Sequence, residues 1–143
     1  MTNKTLPVAV HVFLIKNGRI LLIKRKNTGF KDGQWSVPAG RANHNETLRQ
    51  SAIREIKEEV GLLINQHNLI QPLVMHYHGE RGERLYVFFA CKQWEGVPQN
   101  IEKDKCEEIA WFTVSKLPES TVDHVRKAIE LASRNITFIE LGF

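Results

Sequence analysis

The segment from Gly40 to Leu62 constrains this chain more than any other, because it demands a loop followed by a two-faced helix. Its second half predicts a helix over Thr47–Val60, with Gly61 at the position after the last turn where helices commonly end. Apolar residues recur along this helix within roughly 100° of arc: Ala52, Ile53, Ile56 and Val60. We expect this stripe to face the core.

Three glutamates occupy another face of the same helix. Glu55, Glu58 and Glu59 stand at positions i, i+3 and i+4, so their side chains are neighbours on the helix surface. Like charges at this spacing repel, and a divalent cation would remove that penalty. Ligands that are all oxygen suit Mg²⁺ or Mn²⁺. Taken alone, however, such glutamates are more typical of a solvated helix face than of a metal site.

The spacing of the whole segment favours the metal site. From Gly40, five residues lead to Glu46, and seven more lead to the run Arg54-Glu55-Ile56-Lys57-Glu58-Glu59-Val60-Gly61-Leu62. The chain here resembles the Nudix family, whose signature is G-x5-E-x7-R-E-U-x-E-E-x-G-U, with U a bulky aliphatic residue. Every fixed position matches, and a chance match is on the order of 10⁻⁸ from average residue usage. The segments Trp35–Gly40, Trp94–Gly96 and Glu108–Phe112 also resemble the MutT-like branch.

This resemblance implies roles for the residues of the segment. Glu58 and Glu59 would be the principal metal ligands, and Glu55 would complete the metal site or help to activate water. The backbone carbonyl of Ala39 would be a further ligand, although MutT-like proteins usually have glycine at that position. The remaining matched residues would be structural and hold the loop against the helix: Gly40, Glu46, Arg54 and Gly61.

Two candidates lie outside the signature. In MutT-like members a loop glutamate soon after the W-E-G segment approaches the metals, and Glu102 is the corresponding residue here, with Glu107 and Glu108 as rivals. Arg25, at the end of a predicted strand, corresponds to a phosphate-contacting arginine. The resemblance thus implies Glu55, Glu58, Glu102 and Arg25 as catalytic residues.

The rest of the chain predicts strands mixed with one further helix. The fold class expected is α/β (α+β), an α/β/α sandwich with a mixed sheet between helices, formed by a single domain over residues 1–143. The predicted strands are Val8–Ile15, Arg19–Lys26, Trp35–Pro38, Leu73–His78, Arg84–Lys92, Ile109–Thr113 and Ile136–Leu141, and the second helix is Thr121–Ser133. Asn17-Gly18 predicts a hairpin turn between the first two strands.

Composition limits the partners. The formal net charge of +4 suits a phosphorylated ligand, but the absence of a dense Lys/Arg run argues against nucleic acid. No apolar run approaches the roughly 20 residues that span a bilayer. We expect a cytoplasmic monomer or homodimer, and we expect Cys91 and Cys106 to be reduced thiols. His76 and His78, on one face of a strand, are expected to be structural or to line the cleft.

Three functions remain open at this point. The leading hypothesis is a Mg²⁺-dependent pyrophosphohydrolase that converts nucleoside triphosphates, modified ones included, to a nucleoside monophosphate and pyrophosphate by water attack at phosphorus. The alternative is an ADP-ribose or nucleotide-sugar diphosphatase, since the Pro-Ala-Gly lead-in occurs in both branches. A non-catalytic nucleotide-binding module is disfavoured because every signature glutamate is present. Thr121 stands where MutT-like sanitising enzymes place a base-reading asparagine, which argues against specific 8-oxoguanine recognition.

Overall fold

The computed structural model describes residues 2–143 and is organised around an eight-stranded sheet. In chain order the elements are β1 (Val8–Lys16), β2 (Arg19–Arg25), β3 (Trp35–Ser36), β4 (Ala39–Arg41), α1 (Leu48–Val60), a short 3₁₀ helix (Gln66–Asn68), β5 (Ile70–Gly79), β6 (Gly82–Cys91), β7 (Cys106–Thr113), α2 (Asp123–Ala132) and β8 (Phe138–Leu141). The main path runs β3-β2-β1-β6-β5-β8, while β4 pairs with β1 and β7 pairs with β2.

The sheet is mixed and divides at β1. This strand runs parallel to β6 but antiparallel to β2 and β4. The pair of β2 and β7 is also antiparallel. Only the end of β1 pairs with β2, through Ile15 with Ile20 and Lys16 with Arg19, and its first half pairs with β4 instead. On its other edge, β2 pairs with β7 along its whole length. The far end of β2, which pairs with β3 and β7, therefore lies away from β1.

Each face of the sheet is covered by one helix. On the α1 side, Ala52, Ile56 and Val60 are fully buried against strand residues such as Val10, Val12 and Leu21. On the α2 side, the helix residues Val125 and Ala128 pack on Phe13, Ile20 and Phe88. The predicted sandwich, a mixed sheet between two helices, is confirmed. Neither helix among residues 2–143 is long and apolar enough to cross a membrane.

Local chemistry sets the ends of α1. Thr47 is the N-cap: its hydroxyl accepts the Gln50 N–H, and the Gln50 side chain accepts the Thr47 N–H, which completes a capping box. Gly61 ends the helix with φ 74° and donates its N–H to the Lys57 carbonyl at 3.1 Å. A left-handed φ of this kind costs glycine nothing. The helix predicted over Thr47–Val60 is thus correct, with Thr47 as its cap.

Several predicted strand boundaries were wrong. In each case the strand limit is set by pairing with a strand that is distant in the sequence. β7 begins at Cys106 rather than Ile109, because Arg25 pairs with Cys106 across a bulge in β7. β5 begins at Ile70 rather than Leu73, again across a bulge in its pairing with β6. The three-residue strand β4 was not predicted, since only its pairing with β1 makes it a strand.

Candidate active site

A pocket of about 430 Å³ opens where the end of β2, the start of β4, α1 and the loop before β7 meet. The residues that the sequence proposed as metal ligands or phosphate contacts all line it: Arg25, Ala39, Glu55, Glu58, Glu59 and Glu102. Four carboxylates and a guanidinium from three separate parts of the chain therefore face one space.

Glu59 and Glu55 reach furthest into the protein. The Glu59 carboxylate accepts the Ala39 N–H at 2.9 Å, which ties α1 to the start of β4. Burial, reinforced by the charge of Glu55, raises the pKa of Glu59 well above its ordinary value. Burial also raises the pKa of Glu55, although Arg54 acts in the opposite direction. Both carboxyl groups are thus harder to ionise than an exposed glutamate, and a further positive charge in the pocket would favour their charged forms.

Arg54 connects the loop before α1 to the helix. Its Nε and Nη2 donate to the two oxygens of Glu46 at 2.8 and 3.0 Å, and its Nη1 donates to Glu55 at 2.7 Å. Nη2 also reaches the Arg41 carbonyl at 3.1 Å. Glu46 accepts the Ser51 hydroxyl as well, and the bonds from Arg54 and Ser51 lower the pKa of Glu46 to about 2. One guanidinium thereby orients Glu55 and holds the loop.

Arg25 is positioned by the loop that follows β2. Its Nε donates to the Phe30 carbonyl at 2.7 Å and its Nη2 to the Thr28 hydroxyl at 3.0 Å. Asp32 stabilises this loop by accepting the N–H groups of Thr28 and Gly29. The guanidinium is half-buried, and its remaining N–H groups are left for the pocket.

Of the three loop and strand glutamates after the W-E-G segment, Glu102 alone lines the pocket. Its carbonyl accepts the N–H groups of both Lys105 and Cys106 at 2.9 Å, which places it at the start of a tight turn. Glu107 instead forms an ion pair with Lys24 at 3.1 Å, and Glu108 is exposed on β7. Strand pairing with β2 therefore separates Glu102 from its two rivals.

The donor set fits a hard divalent cation. Within residues 2–143, no three His, Cys, Asp or Glu side chains lie close enough together to hold one ion by themselves. Mg²⁺ does not need such a cage, because it keeps several waters and binds through one or two carboxylates plus substrate phosphates. The pocket gathers four carboxylates, and burial disfavours the negative charge of Glu59 among them. A divalent cation would therefore be stabilised here.

Residues outside the signature complete the pocket wall. Ile23, Asn27, Thr28, Lys105 and Cys106 also line it, and sequence reasoning did not assign them to the site. They come from the end of β2, from the loop that follows it or from the turn into β7, so they approach only through the pairing of those strands. No local pattern marked them.

The histidine and threonine candidates do not line the pocket. His76 hydrogen-bonds Glu83 and packs against Phe143, away from the pocket. His78 also packs on Phe143. Thr121 is 2% exposed and donates its hydroxyl to the Pro118 carbonyl at 2.7 Å, so this side chain stabilises a turn. Cys91 and Cys106 are both buried free thiols.

An aromatic cluster lies between the sheet and the start of α2. His124 stacks on Tyr86 with 4.9 Å between ring centroids, and His11 stacks on Phe88 at 4.3 Å. Tyr77 also stacks on Tyr86, at 5.3 Å. Burial lowers the pKa of His11 to about 3 and that of His124 to about 4. Both imidazoles are therefore neutral at neutral pH.

Comparison with known proteins identifies the family. Residues 5–132 match the NUDIX domain. An ADP-ribose pyrophosphatase of Methanocaldococcus jannaschii is 33% identical over 117 residues, covering 82% of this chain and 68% of that protein. The oxidized purine nucleoside triphosphate hydrolase of Danio rerio is 30% identical over 109 residues, covering 76% and 67%. The crystal structure of a MutT NUDIX hydrolase from Burkholderia pseudomallei matches with a TM-score of 0.76 and 27% identity, covering 89% of this chain and 98% of that one.

The family match, together with the fold and the acidic pocket, shows that the chain belongs to the Nudix family. It is a Nudix hydrolase with MutT-like relatives, and a nucleotide substrate follows from that membership.

Proposed function

We propose that this protein is a Mg²⁺-dependent pyrophosphohydrolase that cleaves nucleoside triphosphates, modified ones included, to a nucleoside monophosphate and pyrophosphate. One observation carries the proposal: Glu55, Glu58, Glu59 and Glu102 share a pocket with Arg25. Carboxylates for a metal and a fixed cation for phosphate oxygens are the two requirements of phosphoryl substitution by water. Mn²⁺ would suit the same oxygen ligands.

In the proposed reaction a water oxygen attacks a phosphorus atom, the anhydride P–O bond breaks, and the diphosphate leaves with that bond's electron pair. When bound, Mg²⁺ supplies charge neutralisation of the diphosphate and a lower pKa for the attacking water. A glutamate of α1, Glu55 or Glu58, accepts the water proton. Arg25 stabilises the charge that develops on the phosphoryl oxygens, because its bonds to Phe30 and Thr28 already fix its direction.

Tyr86, His11 and His124 pack on one another and are only 6%, 5% and 5% exposed, so no nucleobase contact is assigned to this aromatic cluster. The hydroxyl of Thr121 is already engaged by Pro118. We therefore do not assign base reading to Thr121, and selectivity for 8-oxoguanine is not part of the proposal.

Hydrolysis of ADP-ribose or a nucleotide sugar is the second candidate. It is favoured by the relative from Methanocaldococcus jannaschii, which is described as an ADP-ribose pyrophosphatase. The same carboxylates and Arg25 would serve either reaction. Nucleic acid and membranes are not proposed as partners, and the cytoplasmic location and the monomeric or homodimeric state stay predictions.

A substrate screen tests the proposal. The purified chain is incubated with Mg²⁺ and, in separate reactions, with nucleoside triphosphates, ADP-ribose, nucleotide sugars and dinucleoside polyphosphates. Release of pyrophosphate together with a nucleoside monophosphate is expected to be fastest with a triphosphate. Turnover of ADP-ribose with no release of pyrophosphate from any triphosphate would replace the proposal by the second candidate.

A further inference from the structure

One tight turn presents groups of opposite charge to the pocket. Glu102 and Lys105 are its first and fourth residues, and the Lys105 N–H donates to the Glu102 carbonyl at 2.9 Å. Such a turn keeps its end residues within about 7 Å of each other. Both residues line the pocket. A candidate metal ligand and an ammonium group are thus delivered to the same edge of the site.

This turn is held firmly to the end of β2. The Lys105 carbonyl accepts the Lys26 N–H at 3.0 Å, and the Asp104 carbonyl accepts the Asn27 side-chain amide at 3.3 Å. On its far side, Asn100 donates to the Cys106 carbonyl at 2.8 Å. The backbone of Lys105 is therefore fixed relative to Arg25, the last residue of β2.

Lys105 differs from the other cationic residues around the pocket because its ammonium group has no protein partner among the described residues. Arg25 donates to Thr28 and Phe30, and Lys24 pairs with Glu107. Across residues 2–143, the ammonium group of Lys105 enters no hydrogen bond or ion pair. A lysine ammonium on its flexible stem is a compact charge well suited to phosphate. The pocket thus contains one fixed cation, Arg25, and one adaptable cation, Lys105.

We propose that Lys105 binds the terminal phosphates of the substrate and so favours a nucleoside triphosphate over a diphosphate joined to an uncharged sugar. The inference rests on the proposed function and names the residue that selects its substrate class. A triphosphate that loses pyrophosphate carries a further charged phosphate beyond the group that ADP-ribose would present. That extra charge would be stabilised by a side-chain cation in addition to Arg25 and the metal, and Lys105 is the other cationic residue lining the pocket.

Binding of pyrophosphate tests the assignment without depending on turnover. Calorimetric titration with Mg²⁺ and pyrophosphate compares the wild type with Lys105→Gln, Lys105→Arg and, as a matched control, Lys103→Gln. Lys103 is an exposed lysine in the same turn that does not line the pocket. Losing a charged contact should weaken binding about tenfold in Lys105→Gln. Lys105→Arg should retain most of the affinity, and Lys103→Gln should bind as the wild type does.

Equal affinities for Lys105→Gln, Lys103→Gln and the wild type would overturn the assignment, and so would a wild type that does not bind pyrophosphate. Steady-state kinetics are a second test. In Lys105→Gln, kcat/KM for a triphosphate should fall about tenfold more than kcat/KM for ADP-ribose. An equal fall for both would show that Lys105 only supports the turn. Failure of the proposed function would appear differently, as a wild type that binds pyrophosphate but does not release it from triphosphates.

Discussion

The backbone of Gly40 lies directly against the carboxylate of Glu55: a β-carbon at position 40 would sit 2.0 Å from Cδ of Glu55. Because that carboxylate is the end of a flexible side chain, Gly40→Ala should displace Glu55 rather than unfold the protein. We expect kcat/KM to fall at least about tenfold and Tm to drop by only a few degrees, the cost of modest overpacking. Steady-state kinetics and thermal melts measure the two effects.

A second substitution separates strain from chemistry in this pair. Adding Glu55→Ala to Gly40→Ala removes the group that the new methyl meets, so Tm should recover while activity stays low. An active Gly40→Ala variant would contradict a requirement for close approach at this point.

Glu58 offers the cleanest test of the acidic face. Its side chain is 51% exposed, so Glu58→Gln should leave the fold intact. If Glu58 contributes to metal binding or catalysis, this variant should lose at least about 3 kcal/mol of transition-state stabilisation. The matched control is Lys57→Gln, an exposed neighbour on α1 that does not line the pocket. Near-normal Mg²⁺-dependent turnover in Glu58→Gln would remove this residue from the site.

Glu46 should give the protein a pH-dependent share of its stability. Hydrogen bonds from Arg54 and Ser51 lower its pKa from 4.5 to about 2 in the folded state. A lowered carboxyl pKa stabilises the folded state above the unfolded value, and this contribution disappears as the pH falls from about 4.5 towards 2. Glu46→Gln should therefore melt below the wild type at neutral pH and approach it near pH 2.

Thermal melts across this range measure the gap between the two curves. Glu130→Gln is the control, because its exposed pair with Arg134 at 3.8 Å should contribute little at any pH. A gap between wild type and Glu46→Gln that is the same at every pH would contradict the role given to these hydrogen bonds.

Arg25 should not be replaceable by lysine. Its planar guanidinium reaches the Phe30 carbonyl and the Thr28 hydroxyl together, and a lysine cannot keep both contacts while facing the pocket. We expect Arg25→Lys to lower kcat about tenfold or more, in line with the loss of one oriented donor. Lys24→Arg, one residue earlier on β2, is the control. An unchanged kcat in Arg25→Lys would show that the charge alone suffices.

The features that could be predicted from the sequence are those that depend on neighbours in the chain. Thr47, Gly61 and the apolar spacing of Ala52, Ile56 and Val60 determine α1 locally, so its limits were predicted closely. The spacing of Glu55, Glu58 and Glu59 likewise places them on one helix face whatever the rest of the fold does.

Pairing between distant strands decided the rest. The distance from the W-E-G segment favoured Glu102 but did not exclude Glu107 and Glu108, and no local pattern marks Lys105 as a pocket residue. These assignments follow from the antiparallel pairing of β7 with β2, which ends at Arg25 and Cys106 and leaves the turn before it facing α1. The register of a strand depends on hydrogen bonds to a partner far away in sequence. The sequence by itself therefore determined the acidic helix and its family, and the tertiary structure decided which residues surround it.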